Sequence, residues 1–409
     1  MTNVFTVVEI HVHHIPRTVS ENSLMKNISI ILILSIMILT GACEKASVSS
    51  HSHVGEKSIM ITEIQYDSIK IPADSTSIRG NFVLMDTMLL FVDRLYCKIF
   101  PFSIYDGKPS RPIGGMGQGP GEMVGVICGS AISPADTLMW ILDASNGVYE
   151  YSLRSGSIVF LTQLDFSWDK ADRNNYESTS VYNTMQMTSF GVTVADMGNG
   201  KVLYPLSLVD QFLDEMNVER YKKGHILGVV DKNTLKVEKV IGSMASYYQD
   251  TPIPLFEFFD YAVNYSDSIL YVSHAPDSLI YCYKYPDSLL YVIGFEPEGL
   301  HRDFTVGYDL GNRILRKEIL HTSVNTGLYY DATDKLLFRT SITDYVTGNV
   351  VVQIYSDNNL IGEVNAPPFF HLLGRIDDRY YAVRSRPVET DDEEVYFILY
   401  SFSRLRLDN

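Results

Sequence analysis

Four histidines, His274, His301, His321 and His371, stand at or near the ends of strand-like segments far apart in the chain. A closed ring of repeats would bring such residues toward one axis, where imidazole nitrogens hold a metal or move protons. Their spacing selects neither role, and a buried, hydrogen-bonded or surface histidine is the default for each. The run Glu389 to Glu394 (ETDDEE) offers carboxylate oxygens of the kind calcium takes. It falls between two apolar stretches and reads as a solvated hairpin loop, so calcium stays an unsupported option. Three cysteines, Cys97, Cys128 and Cys282, form no CxxC pair and sit in apolar context. They read as buried free thiols rather than zinc ligands. The chain has no GxSxG elbow, no HExxH and no EF-hand loop. No catalytic residue, metal ligand or cofactor is assigned on this basis.

A glycine-rich segment, Arg111 to Met123 (RPIGGMGQGPGEM), is the most distinctive local feature. Glycines at 115, 117, 119 and 121 permit positive φ and close backbone approach. A nucleotide-binding GxGxxG needs a strand before it and a helix after it. Pro120 and the apolar run from Val124 to Ile127 give no such helix. The plain expectation is a structured loop; the sharper one is a loop lining a ligand pocket through Arg111, Gln118 and Glu122.

These groups need a scaffold and a location. Met25 to Cys43 reads MKNISIILILSIMILTGAC: a basic start at Lys26, an apolar run from Ile28 to Leu39, then small residues. The run has 12 residues, short of the roughly 20 that a spanning helix needs. Leu39-Thr40-Gly41-Ala42-Cys43 resembles the bacterial lipobox, which implies cleavage before Cys43 and a lipid on it. Residues 1–24, with Glu9, Glu21 and the His11–His14 cluster, are poor signal material, so translation is expected to start at Met25. Residues 43–57 read as a flexible tether and 58–409 as the folded domain. The expected partner is therefore a membrane held through the lipid anchor, and the expected place is the cell envelope, on the outer membrane. The net charge of −16 argues against nucleic acid, which requires a basic footprint.

Helical patterns are few, at 210–221 and 311–321. The rest alternates short apolar runs with Asp, Asn, Gly and Pro, as many short strands do. A turn residue followed by an apolar burst recurs at Asp86, Asp136, Asn199, Asp267, Asp334 and Asp378, with spacings of 50, 63, 68, 67 and 44 residues. Six beats of this length predict an all-β, six-bladed β-propeller, each turn leading into a buried inner strand. A β-sandwich or two smaller β domains would be the alternative. Ile-Gly pairs at 113–114, 241–242, 293–294 and 361–362 are expected to end outer strands. The stretch Ile59 to Ile71 precedes the first beat and is expected to close the last blade, removing an open edge.

Within the glycine-rich segment, Gly117-Gln118-Gly119-Pro120-Gly121-Glu122 resembles the GxGPGE signature of the six-bladed β-propeller lipoproteins of Bacteroides and its relatives. The resemblance implies the same fold and an envelope location. Family members commonly carry Arg or Lys after the Ile-Gly step, where this chain has Gly115. A propeller that binds a glycan, peptide or partner protein is expected ahead of a lyase or hydrolase at the central channel, or a structural part of the envelope.

Overall fold

Two strands, β1 (Lys57–Ile61) and β2 (Asp67–Pro72), precede six sheets in the computed structural model. It describes residues 52–132, 138–152, 155–168, 175–184, 194–197, 199–208, 218–250, 257–301 and 322–405. Cys43 with its signal segment, the beat at Asp136, His321 and the 311–321 helix lie outside them. A short helix at Val218–Lys223 overlaps the other expected helix.

Blade one holds β3 (Gly80–Met85), β4 (Met88–Asp93), β5 (Lys98–Ser103) and β6 (Ile113–Gly114). Blade two holds β7 (Ile127–Ile132), β8 (Leu138–Asp143), β9 (Gly147–Ser152) and β10 (Ser157–Gln163). In blade three, β11 (Tyr182–Thr184) and β12 (Ala195–Asp196) both pair with β13 (Lys201–Leu208), followed by β14 (Leu227–Asp231) and β15 (Val237–Ile241). Blade four holds β16 (Phe259–Asn264), β17 (Ile269–His274), β18 (Ile280–Lys284) and β19 (Ser288–Ile293). Blade five holds β20 (Val324–Asp331), β21 (Leu336–Asp344), β22 (Asn349–Ser356) and β23 (Asn359–Ala366). Blade six holds β24 (Phe370–Ile376), β25 (Arg379–Arg384), β26 (Val388–Glu389) and β27 (Val395–Ser403).

Each described beat falls in the turn between the first and second strand of a blade. Asp86, Gly200, Ser268, Lys335 and Asp377 have positive φ there. The burst after the turn is therefore the second strand, not the innermost one. The second strand is the most apolar because both its faces are covered. In β4, Leu90 and Val92 pack against Met139 and Ile141 of blade two. Leu89 and Phe91 point the other way, onto Val383 and Phe397 of blade six. Such a cluster lies between every adjacent pair of blades, blade six and blade one included, which closes the ring. Each fully buried Leu, Ile or Phe side chain contributes about 1.5–3 kcal/mol to this closure.

The N-terminal stretch goes further round the ring than expected. β2 pairs antiparallel with β27 and forms the outer edge of blade six, as anticipated. β1 pairs parallel with β23 of blade five. Val54 donates its backbone N–H to Val292 O of blade four, 2.9 Å away. Residues 53–72 thus lie along the rims of three consecutive blades. Three of the Ile-Gly pairs sit at the ends of outer strands, but Ile361-Gly362 lies inside β23. The reason is steric: a Cβ on Gly362 would stand 3.0 Å from the Cβ of Ile61, so glycine admits β1.

A polar tier in the central cavity

A cavity of about 340 Å³ runs along the axis, lined by residues from all six blades. Its wall comes from first strands, one side of which faces open space rather than a neighbouring blade. Those strands consequently mix polar and apolar residues. Pairing register shows which of them share a height. Asn81 pairs with Val92, Gly129 with Leu142, Asp260 with Ser273, Gly327 with Thr340 and His371 with Val383. Each partner is the fifth residue of its second strand, so the five form one tier. Three blades place a polar side chain on it and two place glycine.

The tier is cross-linked. Asn81 Nδ2 donates to Ser130 Oγ at 3.1 Å, joining blades one and two. Asp260 accepts from the backbone N–H of Leu328 at 2.8 Å, joining blades four and five, and from that of Tyr261 at 2.8 Å. His371 of blade six packs its ring edge on blade five: a Cβ on Gly327 would lie 3.3 Å from His371 Nδ1 and 3.5 Å from its Cε1. Glycine at 327 makes room for the imidazole, whose Nδ1 has no hydrogen-bond partner among the described residues. Burial pushes the His371 pKa down, opposed by the charge of Asp260, so the ring is neutral at pH 7. Burial also raises the Tyr265 phenol, another lining residue, to about 12, which keeps it protonated. First strands β7, β20 and β24 each carry a register irregularity at or beside the tier, a common device for re-aiming side chains near sites.

The three described histidines of this set do not converge. His371 lines the cavity. His274 sits between the rings of Tyr248, Phe259 and Tyr281, at centroid distances of 5.7, 5.8 and 5.6 Å. His301 is exposed, and His321 is outside the described residues. Among the described residues no three His, Cys, Asp or Glu side chains are grouped to hold a metal. The three described cysteines are buried free thiols. Glu389 ends β26, and Thr390 to Glu394 form the turn to β27, with Glu393 N–H donating to Thr390 O at 3.1 Å.

The glycine-rich segment links β6 to β7. Its turn is self-contained: the Glu122 carboxylate accepts the Gly119 N–H at 2.8 Å, and Glu122 N–H donates to Gly119 O at 3.0 Å. Buried Met123 anchors it in the core between blades one and two. Arg111 and Gln118 are exposed, and neither they nor Glu122 line the central cavity. The lining residues Asn81, Ser130 and Asp260 carry no sequence motif.

The burial of His274 has a measurable consequence. Its folded-state pKa is pushed down to about 4 by desolvation, against the attraction of Asp277. Above pH 6.5 neither folded nor unfolded chain is protonated there, and stability is complete. Below it the unfolded chain takes up a proton that the folded chain refuses, so stability is lost as the pH falls toward 4. The slope reaches about 1.4 kcal/mol per pH unit. Urea midpoints measured from pH 7 to pH 4.5 should fall less steeply in His274→Phe than in the parent chain. Equal slopes would show that the imidazole titrates normally.

Comparison with known proteins agrees with this architecture. The DUF5128 family model, described as a 6-bladed beta-propeller, matches residues 74–199. The chain is a six-bladed β-propeller. The crystal structure of a DUF4221 family member from Bacteroides vulgatus is similar at 13% identity and a TM-score of 0.57, over 83% of this chain and 98% of that one. A Bacteroides fragilis protein described as exported is similar at 13% identity and a TM-score of 0.49, over 86% and 99%. No curated protein matches the sequence. At such identities the likeness concerns the propeller fold alone.

Proposed function

We propose that this propeller is a lipid-anchored envelope protein that binds a small ligand at its axis. The observation that carries the ligand reading is the tier with Ser130 beside it: hydrogen-bonding side chains from blades one, two, four and six meet in one cavity of about 340 Å³. That volume lies at the lower end of small-molecule sites, roughly 300–1,000 Å³. Apolar walls with a few placed polar groups are the usual composition of such sites. Binding is favoured over catalysis because Asp260 accepts from the backbone N–H groups of Tyr261 and Leu328, which hold its carboxylate in the wall. The loop carrying Arg111, Gln118 and Glu122 is assigned to the rim, where it is available to a glycan, peptide or protein partner.

The envelope reading is supported by the resemblance of Leu39 to Cys43 to the bacterial lipobox. Cys43→Ser expressed in a Bacteroides host should lose palmitate incorporation and leave the membrane fraction; unchanged labelling would remove the anchor. For the ligand, the full chain should gain thermal stability in a small-molecule ultrafiltrate of host cells. Leu373→Trp, which fills the cavity from β24, should abolish the gain. A gain that survives this change would place binding elsewhere.

A further inference from the structure

We infer that the axial ligand is a neutral, polyhydroxylated ring of single-sugar size, held with its hydroxyl edge on the tier. This builds on the cavity reading above and adds the ligand's chemistry. Three lining groups set that chemistry through what they have left to offer. Ser130 Oγ already accepts from Asn81 Nδ2 at 3.1 Å, so its proton points to a further acceptor. Asn81 Oδ1 is buried without a hydrogen-bond partner among the described residues, so it is left to accept. His371 Nδ1 likewise has no partner, and the ring donates or accepts according to tautomer. The site therefore has a spare donor, a spare acceptor and one ambivalent group.

Charge narrows the ligand further. No Lys or Arg is among the described lining residues, while Asp260 is, and the whole chain carries −16. An anionic ligand would be desolvated against a carboxylate with no cation to meet it. An ammonium group has only donors and leaves the Ser130 proton without an acceptor, a buried polar group lacking its bond. A hydroxyl both donates and accepts, so several on one ring satisfy all three groups in either tautomer of His371. The apolar part of the wall, Phe82, Leu84 and Leu328, suits the C–H face of the same ring. The volume admits one ring, either a free monosaccharide or the terminal residue of a glycan.

The test is calorimetric titration of the full chain with glucose, galactose, mannose and N-acetylglucosamine, their methyl glycosides, galacturonate and glucosamine. The expected result is binding of at least one neutral sugar, no binding of galacturonate or glucosamine, and at least tenfold weaker binding in His371→Phe with an unchanged melting temperature. Binding of the methyl glycoside as well identifies a glycan terminus; binding of the free sugar alone identifies a monosaccharide. Should His371→Phe fail to fold, Leu373→Trp serves in its place. If only a charged probe binds and His371→Phe weakens it, the cavity reading stands and the neutral-sugar assignment falls. If a sugar binds but neither substitution affects it, the site is elsewhere and both fall. If no sugar binds, the neutral-sugar assignment falls.

Discussion

Arg339→Ala should unfold the propeller about 3–5 kcal/mol more easily than the parent chain, the largest single-residue loss expected outside the apolar core. Arg339 is wholly buried in β21, facing blade four. Its guanidinium donates to Ser278 O at 2.6 Å, to Phe295 O and to Gln353 Oε1, and reaches Tyr355 Oη at 3.2 Å. Gln353 in turn donates to Glu363 at 2.6 Å, and Glu363 pairs with Lys57 of β1 at 3.4 Å. Truncation would strand two backbone carbonyls of blade four in an apolar interface and leave a void. Urea unfolding followed by tyrosine fluorescence measures the loss. A change under 1 kcal/mol would show that water replaces the guanidinium without cost.

Adjacent residues of β2 should behave in opposite ways. Ile71 is fully buried among Phe91, Phe397 and Leu399, so Ile71→Ala should cost about 3 kcal/mol. Lys70 points outward, with Glu394 at 3.4 Å and the Tyr396 ring at 4.3 Å. Lys70→Ala should cost no more than about 1 kcal/mol, as exposed pairs generally do. The contrast tests whether β2 is a structural member of blade six. Two small and equal effects in the same urea experiment would mean that it is loosely attached.

The beats were legible because their signal is local. A turn residue must accept a left-handed or tightly bonded backbone, and the strand after it is covered on both faces. Asp86, Asp267 and Asp334 therefore mark blades one, four and five from sequence alone. The order of strands around each beat was not legible: the apolar burst looked innermost, whereas the innermost strand precedes the turn. That reversal hid the tier. Asp260, Gly327 and His371 each stand seven residues before a beat, but Asn81 stands five before Asp86, because turn lengths and strand irregularities differ. An axial strand needs only half an apolar face, so Asn, Asp and Gly there resemble loop residues. The place of β1 on blade five was not legible for a further reason: its exposed KSIMI pattern carries no periodic burial, and its partner lies about 300 residues away.

The rim-spanning N-terminal stretch also dictates an order of events. Arg379 and Asp67, an ion pair across blade six, are 312 residues apart in sequence. Blades one to four assemble from strands that follow one another and blade five adds only β1 to such a set, whereas the sixth lacks its outer strand until residues 67–72 return to it. Closing so long a loop adds an entropic barrier that neighbouring hairpins do not face. The ring should therefore form as an open arc with β27 exposed, then lock late in a slow phase set by docking of residues 53–72. During that interval the uncovered edge is the point at which two chains would exchange their leading strands. A chain made or delivered from its N-terminus must keep that segment unpaired until its last blade exists.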